Sequence, residues 1–357
     1  MLQSLEVSGY RSIRSLRVDL GELTVVEGGN GVGKTNLYRA LVLLQAAAQG
    51  TFARLLAEEG GIPGVVFAGP RRSKEPVRMT VRVALDELEF ELSCGPQPSG
   101  PDDRSFFKLD PDVKSETLWV RDGARRHAAL ERNGPHASAR DAEGKRATLP
   151  GPLSSFESVL FQVADAHRYP LLSSLRQTFS AWRFYHSFPT GPDAASRHPY
   201  VATRTPVLAQ DGRDLVSAIQ TIREIGDEKA LDAAIADAFQ GARVEVLPET
   251  RLRLQVHQPG LLRPLEATEL SDGTLRYLCL LAVLHSPRPP PLLALNEPET
   301  SLHPELLEPL ARQIISASKR GQVLVTTHAQ VLARALEKAG ATVHRLERVA
   351  GETKVID

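Results

Sequence analysis

The stretch from Gly28 to Thr35, GGNGVGKT, holds four glycines, a lysine and a hydroxyl within eight residues. It fits G-x-x-x-x-G-K-[ST] completely, follows the apolar run Leu23-Thr-Val-Val26 and precedes a helical pattern, which is the context of a phosphate loop. Glycine lets successive backbone N–H groups converge on phosphate oxygens, and the helix start adds positive potential. Lys34 would neutralise β and γ oxygens and Thr35 would offer its hydroxyl to Mg²⁺. Asn30, Gly31, Gly33, Lys34, Thr35 and Asn36 are therefore the candidate nucleotide contacts.

A second element is Leu292-Leu-Ala-Leu-Asn296-Glu297, a buried strand ending in a carboxylate. In phosphoryl transfer such a strand end normally carries an aspartate for the Mg²⁺ shell, then a residue that orients or deprotonates water. Glu297 stands in the catalytic place, but Asn296 stands where the aspartate is expected. Its amide keeps the geometry for a metal-bound water and lacks the charge, so weaker Mg²⁺ binding is expected with nucleotide binding retained. A helix-capping turn before Pro304 would explain NEPE by itself, but not the strand ahead of it.

Leu270-Ser-Asp-Gly-Thr-Leu-Arg276 lies about 20 residues earlier and opens a helix. Ser271 and Gly273 place a hydroxyl and an unobstructed backbone at that N-terminus, an anion site without a lysine. His328 closes the apolar strand Val323-Leu-Val-Thr-Thr327 and offers an imidazole to a γ-phosphate. Alone, each is a good cap or an ordinary histidine; in this order after a phosphate loop they complete an ATP sandwich.

The elements that must hold these groups follow from apolar spacing. Leu2 to Val7, Leu16 to Leu20 and Leu23 to Val26 read as strands, and Asn36 to Ala48 as a helix. Val77 to Ala84 and Leu88 to Leu92 read as a hairpin, with Glu116 to Val120 a further strand. Residues 95–151, rich in Gly, Pro, Asp, Arg and Ser, are expected to be long loops that build little core. Helical spacing runs over 154–163, 171–184 and 215–239, and Arg251 to Val256 alternates as a strand. Leu275 to Leu284, Pro304 to Ala317 and Gln330 to Ala339 read as helices, and Thr342 to Leu346 and Thr353 to Ile356 as edge strands.

Composition is that of an ordinary soluble globular protein, 357 residues with 42 % hydrophobic and 24 % charged, and the mixture of strands and helices read above makes it α/β. Lys plus Arg and Asp plus Glu both total 43, so no global field draws the chain to nucleic acid or anionic lipid. Local clusters, Arg71 to Lys74 and Arg121 to Arg126, are the places where phosphates could be gripped, with solvated loops the alternative. Cys94 and Cys279 lack metal-ligand spacing and read as packed thiols. The alternating N-terminus is no signal peptide, and no apolar run approaches the roughly 20 residues that span a bilayer. A cytoplasmic protein without membrane association is expected.

Taken together, GYRSIRSL, GGNGVGKTN, LSDGTLR, LNEPETSLHP and VTTH resemble the ABC-type ATPase heads of the RecF, SMC and OLD group, in particular the stand-alone bacterial AAA ATPases described as RecF-like. The resemblance implies one head with a mixed central sheet, an antiparallel β subdomain and an inserted helical lobe. It divides the chain into 1–153, 154–269 and 270–357. It further implies Mg-ATP bound between two heads paired head to tail, with Ser271 and Gly273 serving the partner's nucleotide. Glu297 would activate water, His328 would sense the γ-phosphate, and Thr300 to His303 would touch the opposing subunit. Arg11 matches a family arginine near the phosphates, or else is a surface arginine at a strand end. Gln162 is the candidate for a glutamine coupling Mg²⁺ to the helical lobe, or else a helix-surface residue. Roughly 110 residues separate Gln162 from Leu270, too few for a long coiled-coil arm, and no nuclease-sized domain follows His328.

The resemblance points to ATP hydrolysis in DNA repair or maintenance, with double-stranded DNA, an effector or a nuclease as partner. The competing reading is a slow nucleotide-gated switch controlling an effector, for example in antiphage defence. A transporter subunit fits LSDGT and ETSLH poorly, and the chain has no N-K-x-D motif for guanine.

Overall fold

The computed structural model describes every residue except 72–74, 99–104, 124, 249 and 357. The chain forms two compact units. The first comprises Met1–Gly21, Gly28–Trp182 and His344–Asp357, and the second Glu22–Glu27 and Arg183–Val343.

In chain order the elements begin with strands β1 (Leu2–Tyr10), β2 (Ile13–Asp19) and β3 (Leu23–Gly28). Helices α1 (Lys34–Gln49), α2 (Phe52–Glu58) and α3 (Gly61–Val65) follow. Six strands come next: β4 (Met79–Leu85), β5 (Leu88–Pro96), β6 (Pro111–Asp122), β7 (Arg125–Asn133), β8 (His136–Arg140) and β9 (Arg146–Thr148). After α4 (Val159–Gln162) and α5 (Pro170–Ala181) come β10 (Arg183–Tyr185) and β11 (Tyr200–Val201). Helices α6 (Leu215–Ile225) and α7 (Glu228–Ala238) precede β12 (Arg243–Leu247), β13 (Arg251–His257) and β14 (Leu265–Glu266). The chain continues through α8 (Asp272–Leu284), β15 (Leu292–Asn296), α9 (Leu307–Ser318), β16 (Gln322–Thr327) and α10 (Gln330–Lys338). It finishes with β17 (Thr342–Val349) and β18 (Glu352–Ile356). Among the described residues the longest helix is α1, with 16 residues, and none is long and apolar enough to cross a membrane.

The first unit is built on an antiparallel sheet of order β2-β1-β4-β5-β6-β7-β8-β9. Alternation drives it: Leu5 and Val7 of β1 stand opposite Val83 and Val81 of β4, all buried on one face. The sheet runs well beyond the sequence expectation: β6 extends the strand expected over Glu116 to Val120, and β7, β8 and β9 are strands where loops were expected. A buried ion pair explains the difference. Arg132 Nη1 donates to Glu116 Oε2 at 2.8 Å, and both side chains are wholly shielded from solvent. Arg132 also donates to the carbonyls of Gly134, Ser154 and Glu157, and Glu116 accepts from the Ser158 hydroxyl and the Val159 N–H. Every polar group of the pair is satisfied, which is what makes such burial tolerable. A charged composition therefore concealed a buried pair whose members face each other across two adjacent strands.

The second unit holds a parallel sheet in the order β10-β15-β16-β3. All five residues of β15 and all six of β16 are buried, as expected for strands covered on both faces. Helix α8, apolar around most of its surface, packs into the same core with α6, α7 and α9. An antiparallel β11-β13-β12 sheet, with β14 against β13, completes the unit. The helical spacing over 171–184 divides into α5 and β10, since Arg183 to Tyr185 pair with Leu293 to Leu295. Spacing over 215–239 likewise divides at Gly226, where Asp227 caps α7 by accepting from the Ala230 N–H.

Candidate nucleotide site

Strand β3 delivers the chain into the phosphate loop, and the loop's shape depends on glycine. Gly31 and Gly33 have φ of 77° and 107°, the left-handed region that other residues enter only with strain. A Cβ on Gly33 would lie 2.2 Å from Thr353 Oγ1 and 2.9 Å from Ser12 Oγ. Gly33 caps α1, and Lys34 Nζ donates to the carbonyls of Gly28 at 2.9 Å and Gly29 at 2.8 Å. The Lys34 side chain is thus tucked under the loop, with Asn30 and Gly31 at its exposed crest.

Two residues that the motif does not contain hold this loop. Thr353 of β18 donates to the Val32 carbonyl at 2.7 Å and bonds the Ser12 hydroxyl at 2.7 Å, while Asn36 Nδ2 donates to Ser12 at 2.8 Å. Asn36 is thereby part of a chain that ties α1 to the β1–β2 turn and to β18. Thr353 is 341 residues from Ser12 in sequence, so no local signal marks it.

Arg11 has φ of 49° and gives its guanidinium to Glu59, Nη2 to Oε2 at 2.7 Å. Arg39 and the Tyr10 hydroxyl share that carboxylate. Burial, and then the Glu59 charge, push the Tyr10 phenol far above its ordinary range. Gln162 ends α4; its Oε1 accepts from the Ser154 N–H and its Nε2 donates to the carbonyls of Ser154 and Glu157. Its amide thus fastens the 154–157 segment. Of the basic clusters, residues 72–74 and 124 lie outside the described residues. Arg71 donates to the Phe67 carbonyl, and Arg121 and Arg126 each stand 3.4 Å from Glu89.

In the second unit, the C-terminal ends of β10, β15 and β16 meet at one edge of the sheet, the place where open parallel sheets bind ligands. Asn296 is buried at the end of β15, with both ends of its amide engaged. Oδ1 accepts from the Thr326 hydroxyl at 2.8 Å, and Nδ2 meets His186 Nδ1 at 2.7 Å. The amide donates there, so His186 presents a lone pair on Nδ1. His186 is a residue the motifs did not single out.

Glu297 follows with φ of 49°, its N–H bonded to the Thr326 carbonyl. Its carboxylate lies 3.8 Å from His328 Nδ1, and both side chains are partly exposed. The fold therefore brings the expected water-activating acid and the expected phosphate-sensing imidazole to adjacent strand ends. Glu299, buried behind them, accepts from the Thr327 hydroxyl at 2.6 Å and stands 3.2 Å from the same imidazole nitrogen.

Ser271 caps α8, accepting from the Thr274 N–H at 3.2 Å. A Cβ on Gly273 would come within 3.0 Å of the Ser301 carbonyl, so the bare backbone allows α8 and the 297–303 loop to approach. Behind the cap, buried Arg197 donates to Asp272 at 2.6 Å and to the Leu270 carbonyl at 2.7 Å. Arg276, one turn into α8, donates to the Glu297 carbonyl at 3.5 Å. Burial lowers its guanidinium pKa, and the nearby Cys279 and Glu299 oppose that shift. Ser271, Gly273, Ser301, Leu302 and His303 all line a groove of about 740 Å³.

No curated protein matches the chain significantly in sequence. Its fold is similar to that of SMC heads. The SMC head bound to the C-winged helix domain of ScpA has a TM-score of 0.60 at 16 % identity, over 99 % of this chain and 97 % of that one. The head from Pyrococcus furiosus, with an extended coiled coil and bound to the C-terminal domain of ScpA, gives 0.53 at 14 %, over 99 % and 95 %. The head from Pyrococcus yayanosii, with a coiled coil and joint, gives 0.53 at 11 %, over 100 % and 96 %. A family model described as "AAA domain, putative AbiEii toxin, Type IV TA system" matches residues 23–334. That span runs from β3 into α10, and the chain belongs to this family of AAA ATPases with an SMC-head-like fold.

Proposed function

We propose that the protein binds and hydrolyses Mg-ATP, pairs head to tail with a second copy around the nucleotide, and uses that cycle in DNA repair or maintenance. The observation that carries this reading is the meeting of Glu297 and His328 at neighbouring strand ends, 3.8 Å apart. A carboxylate beside an imidazole can orient and deprotonate a water while a second group follows the γ-phosphate. The glycine conformations at positions 31 and 33 and the N-terminus of α1 fit a triphosphate.

Asn30, Gly31, Gly33, Lys34, Thr35 and Asn36 would contact the nucleotide, with Arg11 near its phosphates. No cluster of three or more His, Cys, Asp or Glu side chains among the described residues could hold a metal. Mg²⁺ in such sites takes most of its ligands from phosphate and water. Thr35 would offer that ion its hydroxyl, and Asn296 and Gln162 would serve as minor ligands only by giving up their local bonds. Ser271 and Gly273, on the groove wall, would face the second copy's nucleotide, with Thr300 to His303 beside them. The SMC heads of similar fold are bound to ScpA domains, which supports a protein partner here, an effector or nuclease, in addition to double-stranded DNA.

A second reading is favoured by Asn296. Its amide is spent on Thr326 and His186 and carries no charge for Mg²⁺, which suits a slow nucleotide-gated switch. The family description, naming a toxin of a toxin–antitoxin system, accords with control of an effector, as in antiphage defence.

ATP turnover and light scattering for the wild type and Glu297→Gln, with and without duplex DNA, decide between them. Hydrolysis that depends on Glu297, and DNA stimulation that declines with salt as counterion release requires, are the expected results. Undetectable turnover with tight ATP-driven dimerisation would establish the switch. A monomer under saturating Mg-ATP would defeat the pairing, and indifference to DNA would remove the DNA role.

A further inference from the structure

The end of β16 hangs on one carboxylate. Glu299 is 6 % exposed, and its Oε1 accepts from the Thr327 hydroxyl at 2.6 Å, the His328 N–H at 2.8 Å and the Ala329 N–H at 3.3 Å. The same oxygen is the carboxylate atom nearest the His328 ring, 3.2 Å from Nδ1 against 3.8 Å for Glu297. Oε2 is buried with no hydrogen-bond partner among the described residues. A buried, half-used carboxylate is unusual in a merely structural position, where unsatisfied polar atoms are selected against.

The backbone around it is also committed. Glu297 and Ser301 both occupy the left-handed region, with φ of 49° and 64°, so the loop after β15 is folded back to place Glu299 against the neighbouring strand. The Leu302 N–H closes that fold on the Glu299 carbonyl at 3.0 Å. The His328 ring is 40 % exposed. Without an anchor it would sample several rotamers and both tautomers.

We propose that Glu299 is a positioning residue for ATP hydrolysis, holding the His328 imidazole with its proton on Nδ1, so that Nε2 keeps the lone pair and can accept an O–H from the attacking water. The inference rests on the ATPase reading of Glu297 and His328. Carboxylates on the Nδ1 side select the tautomer protonated there, because the neighbour of one ring nitrogen sets the role of the other. Holding the loop and the strand end on one oxygen also means that movement of the 297–303 loop is felt at His328.

Glu299→Gln tests this. It is isosteric and keeps an oxygen for Thr327 and the two N–H groups, so the fold is retained, but it removes the charge that fixes the ring. Histidine-selective ¹⁵N spectra of the nucleotide-free protein, with His328 assigned through His328→Ala, report the tautomer directly. The expected change is from one Nδ1–H form to a mixture. In parallel, kcat should fall roughly tenfold with KM for ATP within about threefold, the pattern of a misplaced catalytic group. In a His328→Ala background the same substitution should cost less than about twofold, since coupled residues are not additive. An unchanged His328 spectrum, or the full tenfold loss persisting without His328, would overturn the proposal. Absence of turnover in the wild type would defeat the ATPase reading alone, and the spectra would still decide whether Glu299 governs the ring.

Discussion

The phosphate loop and the cluster at the ends of β15 and β16 present reactive groups in opposite ways. In the loop, eight consecutive residues supply the surface, and most of it is main chain shaped by Gly31 and Gly33. At the strand ends the groups are side chains, His186, Asn296, Glu297, Glu299 and His328, drawn from three strands and held by one another. A backbone cradle requires permissive φ and little else; a side-chain cluster requires every neighbour to be in place. The first should fail through sterics and the second through loss of charge or orientation.

Glu297→Gln probes the cluster most severely. Removing the water-activating carboxylate should lower ATP turnover by about 10³-fold or more while leaving ATP affinity within a few-fold. Single-turnover hydrolysis with an equilibrium binding assay separates the two; comparable losses in both would mean that Glu297 is a structural residue. Gly33→Ala is the corresponding blow to the cradle. Its Cβ would meet Thr353 Oγ1 at 2.2 Å in a left-handed position, and ATP affinity should fall by about 10²-fold, a loss of backbone geometry rather than charge. Calorimetry showing unimpaired binding would refute the cradle.

Thr353→Val asks how much the loop owes to tertiary support. Losing the bonds to Val32 and Ser12 should weaken ATP binding about fivefold to tenfold, near the value of one hydrogen bond, with kcat nearly unchanged. A fall in kcat without a change in affinity would move Thr353 out of the binding role. The smallest effect is expected from Asn296→Asp. The new carboxylate faces His186 and Thr326, and the Mg²⁺ concentration for half-maximal turnover should drop about threefold. No response to Mg²⁺ titration would show that position 296 lies outside the metal's reach.

The same contrast explains what could be read beforehand. Strand β3, the loop and α1 were legible because local spacing dictates them: an apolar run, glycines, then leucines on one helical face. Strand β10 was hidden in a helical pattern, since Arg183 to Tyr185 become a strand only by pairing with Leu293 to Leu295. The strands over 125–148 were hidden by a polar composition that read as loops, because the Arg132 charge is matched only when β7 lies beside the Glu116 strand. Thr353, Arg197 and His186 carried no motif at all.

By itself, then, the sequence determined the order of the motifs, the identity of the groups that could handle a triphosphate, and the loss of one charge at Asn296. Those properties depend on residue type and near-neighbour spacing. Tertiary structure alone decided that Asn296 is saturated by His186 and Thr326, that Glu299 rather than Glu297 lies nearest His328, and that Thr353 supports the loop. Such contacts join residues up to hundreds of positions apart, where only the packing of strands beside strands sets which side chains share an ångström-scale neighbourhood.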